Sequence, residues 1–280
     1  MIQNQCDAVD LNLGCPQGIA KKGHYGSFLQ DEWDLVHEMI STLHVNLRIP
    51  VCAKIRIFDD RQKTLAYARH VCSAGVSILT VHGRTREMKG QWTGLADWDI
   101  IREIRSVIPK DVVMFANGNI QFHGDLERCI AMTGVDGIMS AEGHLHNPAI
   151  FVDKEESFER RHPRIDGMAR EFLEIVKELD DPLSNVAVKP HLFKLLRPAL
   201  EVHTDIRNRL GVSHNLEDFE NVLWMIEERI AKELRENVEP EGQETVPWYR
   251  CQPYIRPVPP PKPEKKRKLD AVAVDIEVTA

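Results

Sequence analysis

Short apolar runs, some alternating with polar residues, recur five times in the first half of the chain. Their length and period predict the β-strands Ala8–Leu13, Val51–Ile57, Ser77–Val81, Val112–Ala116 and Gly137–Ala141. Apolar residues at helical spacing lie between them and predict the helices Asp31–Thr42, Thr64–Ala74, Trp98–Val107 and Asp125–Met132. Strands that alternate with helices through short connections indicate βα units and a parallel sheet.

The second half of the chain has a different pattern, because strand signals end near Phe158. Helical periodicity there predicts the helices Gly167–Leu179, Val186–Val202 and Leu216–Leu234. Further on, the stretch "PVPPPKPEKKRKL" is rich in proline and then in basic residues, a composition that cannot form a core. We therefore expect a sheet-forming part over 1–155, a helical part over 156–237 and a mostly disordered tail over 238–280.

Charge and cysteine content narrow the class of protein. The 280 residues carry a formal net charge of −7, so overall charge does not indicate a nucleic-acid-binding protein, and any such surface must be local. The basic cluster Lys265–Lys268 could be a nuclear signal, a polyanion contact or only a solvated tail.

Six scattered cysteines without a CxxC pair indicate reduced thiols in a protein of the cytoplasm, or also of the nucleus. No apolar stretch approaches the roughly 20 residues that span a bilayer.

Polar residues follow every one of the five predicted strands. In chain order they are Asn12 and Cys15, Lys54 and Arg56, His82 and Arg84, Asn117 to Asn119, and Glu142 with Gly143. Taken singly, each is more often a turn former or a core residue than part of a site. Five parallel strands that all end in polar groups are instead typical of a (β/α) barrel, whose active site lies at the carboxyl ends of its strands.

The residue types at these strand ends suit an anionic cofactor. The glycine-containing turns "NGN" and "AEG" can offer backbone N–H groups to a phosphate. Lys54 and His82 would both face the carboxyl end of the barrel, where a cation stabilises the negative charge of a reduced flavin. Since a free thiol is mostly protonated at neutral pH, Cys15 could act as a general acid as well as a nucleophile. A buried core cysteine is the plainer alternative.

Five motifs in series resemble those of the tRNA-dihydrouridine synthases. They are "DLNLGCP", "AKIRI", "LTVHGRT", "FANGNI" and "GIMSAEG" followed by "NPAIF". The phrases "GHYGSFLQDEWDL", "HLFKL" and "CQPYIRP" are similar to the eukaryotic branch that acts on positions 16 and 17 of the D loop. The resemblance runs from about Asp7 to Pro257, and its multi-residue motifs are highly specific.

The resemblance implies an α/β fold with a partial (β/α)8 barrel that binds FMN, followed by a small all-α domain. The tRNA would lie in the cleft between 1–155 and 156–237. NADPH or NADH would reduce the flavin, and a hydride would pass from flavin N5 to C6 of a D-loop uracil. The resemblance further implies that Cys15 gives the proton to C5. We expect the protein to be a monomer.

Further roles follow from the resemblance, residue by residue. Asn12 and Arg56 would bind the uracil. The cofactor would be held by Lys54, His82, Asn117, Gly118, Asn119, Ala141 and Glu142. The tRNA would meet a helix carrying Lys189, His191, Lys194 and Arg197, of which the last two are three residues apart and so share a face. Bacterial relatives usually have Gly-Arg in place of Ala141 and Glu142, so phosphate contacts at that point would come from backbone groups.

The chain has fewer strands than a complete barrel requires. A (β/α)8 barrel has eight strands in about 250 residues, and the five predicted here would be equivalent to strands 4–8. We therefore expect the family's first three βα units to precede residue 1 and the chain to be an amino-terminally truncated form. Two other functions stay open: a non-catalytic protein that only binds tRNA, and a different barrel enzyme with Lys54 as a Schiff-base lysine.

Overall fold

A parallel sheet of five strands lies at the centre of the first part of the chain in the computed structural model, which describes residues 2–179, 182–236 and 245–256. The strands β1 to β5 are Val9–Asn12, Val51–Arg56, Ile78–His82, Val113–Asn117 and Gly137–Met139. Each strand pairs in parallel with the next one along the chain. All five strand predictions are confirmed to within two residues at either end.

Helices connect the strands and cover one face of the sheet. Helices α1 to α6 are Gly18–Gly23, Trp33–Asn46, Arg61–Ser73, Trp98–Val107, His123–Thr133 and Glu142–His146. The Asp60 carboxylate accepts a hydrogen bond from the Lys63 N–H at the start of α3, and Asp97 caps α4 in the same way. The sequence predicts α2 to α5, whereas α1 and α6, of six and five residues, are too short to show a helical period.

The two faces of the sheet differ because side chains alternate along each strand. Ala53 and Ile55 of β2 are fully buried and belong to an apolar core shared with α2 to α5. Lys54 and Arg56 alternate with them and therefore lie on the opposite face. The sheet thus has one apolar face covered by helices and one face that carries polar groups.

The predicted fold class is confirmed. The elements form an α/β arrangement with a parallel sheet, consistent with part of a (β/α)8 barrel. Among the described residues, β1 and β5 each pair on one side only, so the sheet does not close on itself. That further βα units precede residue 1 stays a prediction.

The second part of the chain is built of helices around a separate apolar core. Helices α7 to α12 are Phe158–Arg161, Ile165–Leu179, Pro182–Leu195, Arg197–Val202, Thr204–Val212 and Leu216–Glu236. On α12, Phe219, Leu223, Ile226 and Ile230 repeat at intervals of three or four residues and are buried in this core. The predictions of α8 and α12 are confirmed, whereas α7 and α11 are not predicted from the sequence.

The helix predicted over Val186–Val202 is in fact two helices, α9 and α10. Pro198, the second residue of α10, has no N–H to donate to the Lys194 carbonyl four residues earlier. That oxygen instead lies 2.8 Å from Nδ1 of His146 in α6. The prediction of one continuous helix is therefore wrong at Leu196, although Lys194 and Arg197 both lie near enough to His146 to act on it electrostatically.

Residues 245–256 pack against the helices. Tyr249 and Cys251 are buried in the second core. This differs from the disordered tail predicted over 238–280. The remainder of that tail, with Lys265–Lys268, lies outside the described residues.

The two apolar cores use different stretches of the chain. The first extends from Leu13 to Ile150 and the second from Ile165 to Cys251. The boundaries predicted at 155/156 and 237/238 stay predictions. In the described part of the chain, no helix is long and apolar enough to cross a membrane.

Candidate active site

The parallel register brings the strand-end residues into two adjacent rows on the polar face of the sheet. Asn12 pairs with Lys54 in one row. Two residues further along the strands, Arg56 pairs with His82, which pairs with Asn117. Paired residues on parallel neighbours point to the same face. These five side chains therefore share one surface at the carboxyl edge of the sheet, as the barrel pattern predicts.

Cys15 lies in the loop directly after β1, and hydrogen bonds hold this loop in place from several sides. Its carbonyl oxygen accepts hydrogen bonds from the backbone N–H and the Oγ of Ser27, at 3.0 and 2.9 Å. Gly26 has a φ of +65°, and a Cβ there would lie 2.9 Å from the Cβ of Cys15, so this close approach requires glycine. The carbonyl of Gly14 accepts a hydrogen bond from Nε of Arg56 at 2.7 Å. The partly exposed thiol thus sits on a fixed loop.

Asn12 and Lys54 flank this loop. Oδ1 of Asn12 accepts a hydrogen bond from the Gly14 N–H at 3.1 Å, so this side chain shapes the turn before Cys15. Burial lowers the pKa of Lys54 to about 8, and the positive charge of Arg56 adds to that effect. Cys15 is near enough to act electrostatically on both cations. The lysine is therefore a cation at neutral pH that releases its proton far more readily than an exposed one.

His82 and Arg84 form a hydrogen-bonded pair. Nη1 of Arg84 lies 3.1 Å from Nε2 of His82, and since a guanidinium only donates, we assign Nε2 as the acceptor and the proton to Nδ1. Burial lowers the pKa of His82 to about 2, with further lowering from the neighbouring cations Arg56, Lys54 and Arg84. The imidazole is therefore neutral at physiological pH. Arg84 itself is not predicted as a site residue, although it follows the strand-end histidine by only two positions.

The turn after β4 holds Arg84 in place. Asn119, with a left-handed φ of 61°, accepts through Oδ1 from Nη2 of Arg84 at 2.7 Å and from the Ala96 N–H at 3.0 Å. Its Nδ2 donates to the Ala96 carbonyl at 3.0 Å. Gly118 has a φ of +106°, and a Cβ there would lie 2.7 Å from the Cβ of Ala96. The Asn119 side chain is thus committed to positioning the turn and the arginine.

A cleft of about 710 Å³ opens at this edge of the sheet. Seven residues predicted for the site line it: Arg56, His82, Asn117, Gly118, Asn119, Ala141 and Glu142. Asn12, Cys15 and Lys54 are not among its described lining residues, although the cleft reaches Pro16 and Gln17, which follow the cysteine. Three further basic residues line it: Arg84, which the sequence places at a strand end without assigning it a role, and Lys89 and Arg256, which the sequence does not predict.

The two unpredicted residues bridge segments that are far apart in sequence. Nζ of Lys89 donates to the Pro16 carbonyl at 2.7 Å and so ties the loop after β3 to the cysteine loop. Nη2 and Nε of Arg256 donate to Oε1 and Oε2 of Glu142, at 2.7 and 3.2 Å. These contacts span 73 and 114 residues, so no local sequence pattern indicates them.

Two of the four residues predicted to face tRNA make contacts within the helical part. Nζ of Lys189 donates to the Gly211 carbonyl at 2.9 Å. The His191 ring packs edge-on against Phe172, with ring centroids 5.5 Å apart.

The other two lie where the helical part meets α6. The Lys194 carbonyl contacts His146, as described above. The Arg197 guanidinium stacks on Tyr254, 3.4 Å from the ring centroid, and its Nε lies 2.9 Å from Oε1 of Glu201. Lys194 and Arg197 therefore lie together near α6, whereas Lys189 and His191 contact α11 and α8.

Comparison with known proteins decides the family of this chain. A family model described as "Dihydrouridine synthase (Dus)" matches residues 1–240. The chain belongs to the dihydrouridine synthase family. The resemblance seen in its motifs is confirmed.

Several relatives of known family are similar over most of this chain. The tRNA-dihydrouridine(16/17) synthase (NAD(P)(+)) of Schizosaccharomyces pombe is 49% identical over 286 residues, which cover 96% of this chain and 72% of the relative. The protein of the same name from Saccharomyces cerevisiae is 49% identical, over 92% of this chain and 66% of the relative. The "-like" protein of Mus musculus is 46% identical, over 92% of this chain and 53% of the relative. The chain thus spans between about half and three quarters of these relatives.

One solved structure is similar to this chain at a remote level. A phosphonopyruvate hydrolase, solved as its complex with oxalate and magnesium, gives a TM-score of 0.39 at 12% identity, covering 85% of this chain and 89% of that chain. A likeness of this degree carries no argument about fold or function.

Proposed function

We propose that this dihydrouridine synthase chain carries the catalytic residues of a tRNA uridine reductase. With FMN as cofactor and NADPH or NADH as reductant, the protein reduces the C5=C6 bond of uridine at positions 16 and 17 of the D loop. The observation that carries the proposal is the Cys15 loop, held beside Lys54 and Arg56 at the carboxyl edge of the sheet. The printed names of the two yeast relatives support the positions and the nicotinamide reductant.

The cleft residues fit a phosphorylated flavin. Arg56, Arg84 and Arg256 line the cleft, and Glu142 is the single acidic residue among its described lining residues. This surplus of positive charge favours an anionic ligand. When bound at this cleft and reduced by the nicotinamide, FMN would supply the hydride that is added at C6 of the uracil.

Cys15 supplies the proton that completes the reduction. Addition of a hydride at C6 leaves negative charge on C5 and the neighbouring O4 of the uracil. The thiol proton then passes from Sγ to C5, and the thiolate regains a proton from solvent. The hydrogen bonds from Ser27 and Arg56 fix the loop that carries the thiol, which a positioned acid requires.

The neighbouring side chains bind and orient the uracil. Nε of Arg56 donates to the Gly14 carbonyl in the Cys15 loop, and Nη1 donates to the Thr85 carbonyl in the loop after β3. Its remaining N–H groups are assigned to a uracil carbonyl. Asn12 uses Oδ1 in the turn, and its Nδ2 is assigned to the uracil edge. Lys54 stabilises the negative charge that develops during the reaction.

The tRNA would cross the junction between the two parts of the molecule. Lys194 and Arg197 lie at that junction and suit contacts to phosphates, which position an RNA without reading its sequence. Lys189 and His191 are assigned to the same partner, further along the helical part.

One observation favours a second candidate function, tRNA binding without reduction. Among the described residues the sheet is open at β1 and β5, so the flavin pocket is bounded by five strands rather than by a closed barrel. In this case the helical part would still bind tRNA.

Flavin redox chemistry separates these functions. The purified chain is mixed with FMN, freed of excess, and treated without oxygen first with NADPH and then with unmodified tRNA. We expect the nicotinamide to bleach the bound flavin and the tRNA to restore its colour, while tRNA with cytidine at the D-loop target positions does not. Binding of tRNA by a chain that takes up no flavin would support the second function. Borohydride trapping of a substrate on Lys54 would instead indicate an aldolase-type enzyme.

A further inference from the structure

Arg256 joins two distant regions of the molecule. It belongs to the carboxyl-terminal segment 245–256, in which Tyr249 and Cys251 are buried in the helical core. Its own side chain lines the cleft at the carboxyl edge of the sheet. The segment therefore carries a guanidinium from the helical part into the candidate active site.

Three hydrogen bonds fix this guanidinium without using all of its donors. Nη2 and Nε donate to the two carboxylate oxygens of Glu142, and Nη1 donates to the Gly90 carbonyl at 3.2 Å. A guanidinium has five N–H donors. One N–H on Nη1 and one on Nη2 therefore remain for a ligand in the cleft.

A second guanidinium is close to the first. The charges of Arg256 and Glu142 both act on Arg84, and both arginines line the same cleft. Arg84 is held by the Gly94 carbonyl, by His82 and by Asn119. Two fixed guanidinium groups against one carboxylate leave surplus positive charge, which is suited to a phosphate.

We propose that Arg256 is a phosphate-binding residue of this cleft, which together with Arg84 binds the phosphate of the flavin cofactor while Glu142 orients it. The inference rests on the proposed function, since it takes the anionic ligand to be FMN. Without Arg256, Glu142 would place an uncompensated negative charge beside the phosphate. Because the arginine is carried by a segment buried in the helical core, cofactor binding also depends on how that core is seated against the sheet.

Comparison of FMN with riboflavin isolates the contact, because the two differ only in the phosphate. Affinities are measured by quenching of flavin fluorescence for the wild type, Arg256→Gln and the double variant E142Q/R256Q. We expect Arg256→Gln to weaken FMN binding about 10- to 100-fold and to change riboflavin binding less than about twofold. The double variant has the net charge of the wild type but should stay weak for FMN. Arg102→Gln, an exposed arginine on α4 that pairs with Asp99, should leave both affinities unchanged.

Five results would overturn the inference. Unchanged affinities for both flavins in Arg256→Gln would show no phosphate contact, and an equal loss for both flavins would show a structural role only. Recovery of wild-type affinity in the double variant would trace the loss to the charge of Glu142. Loss of tRNA affinity in flavin-free Arg256→Gln, with the flavin ratio kept, would assign the residue to RNA. A wild-type chain that binds neither flavin would refute the proposed function as well.

Discussion

The sheet part and the helical part place their polar residues by different rules. In the sheet, pairing sets Arg56 beside His82 and His82 beside Asn117, so residues at successive strand ends form one surface. In the helical part, Lys194 and Arg197 are only three residues apart but lie in different helices. Strand register is fixed by neighbours, whereas a shared helix face exists only if the helix continues. The positions of the site residues in the sheet therefore follow more directly from the sequence than those of the tRNA residues in the helical part.

The largest effect that tests the sheet part is expected from Cys15→Ala. Loss of a positioned general acid should slow uracil reduction by about 10²- to 10⁴-fold. Flavin binding and flavin reduction by NADPH should stay nearly unchanged, because the thiol does not serve those steps. Single-turnover reoxidation of the flavin by tRNA measures this directly. Cys6→Ala, an exposed thiol outside the cleft, is the matched control. A normal rate in Cys15→Ala would remove the proposed role.

The junction of the helical part is tested by a pair of substitutions. His146→Phe should lower the free energy of unfolding by about 1–3 kcal/mol, because the Lys194 carbonyl loses its partner in a buried place. Pro198→Ala restores an N–H four residues after that carbonyl and should recover part of the loss in the double variant. Urea unfolding of the two single variants and the double variant gives the coupling free energy between the two substitutions. Strictly additive effects would mean that the proline does not cause the helix break.

A smaller effect is expected on tRNA binding from Lys194→Glu. Affinity should fall about 3- to 10-fold for all tRNAs alike, and the slope of log affinity against log salt should decrease by about 1, because one phosphate contact is lost. Arg197→Glu should act less, since this arginine already lies beside Glu201. Lys232→Glu on α12 serves as the control for added negative charge. Equal salt slopes for wild type and Lys194→Glu would place the RNA elsewhere.

The smallest effect is a pH dependence that arises from Lys54. Its pKa of about 8 means that the amine is charged below that pH and neutral above it. FMN affinity should therefore fall about 2- to 5-fold as the pH rises from about 7 to 9, because Lys54 loses its positive charge. The charge of the phosphate does not change in this interval, since its second pKa is near 6. Lys54→Gln should bind FMN more weakly at pH 7 and show a flat profile. A wild-type profile that is flat over this interval would argue against a charged Lys54 facing the cofactor.

The sequence predicts the sheet part better than the helical part, because strand register and helix continuity depend on different contacts. The strands and their polar ends are local features, so the rows that contain Lys54 and His82 are predictable. Arg256 and Lys89 reach the cleft through contacts over more than 70 residues, which no local pattern encodes. Proline alone is also ambiguous, because Pro190 lies inside α9 while Pro198 coincides with a break. At Pro198 the freed Lys194 carbonyl contacts His146 of α6, and this contact between distant residues is not encoded by any local pattern.

The central claim is that the carboxyl edge of this sheet reduces uridine in the D loop of tRNA. The most direct test is to map dihydrouridine by mass spectrometry in unmodified tRNA treated with the protein, FMN and NADPH. We predict dihydrouridine at positions 16 and 17 with the wild type, as the names of the yeast relatives suggest, and none above background with Cys15→Ala. Unchanged uridine after treatment with flavin-loaded wild type, or equal dihydrouridine with both proteins, would contradict the claim.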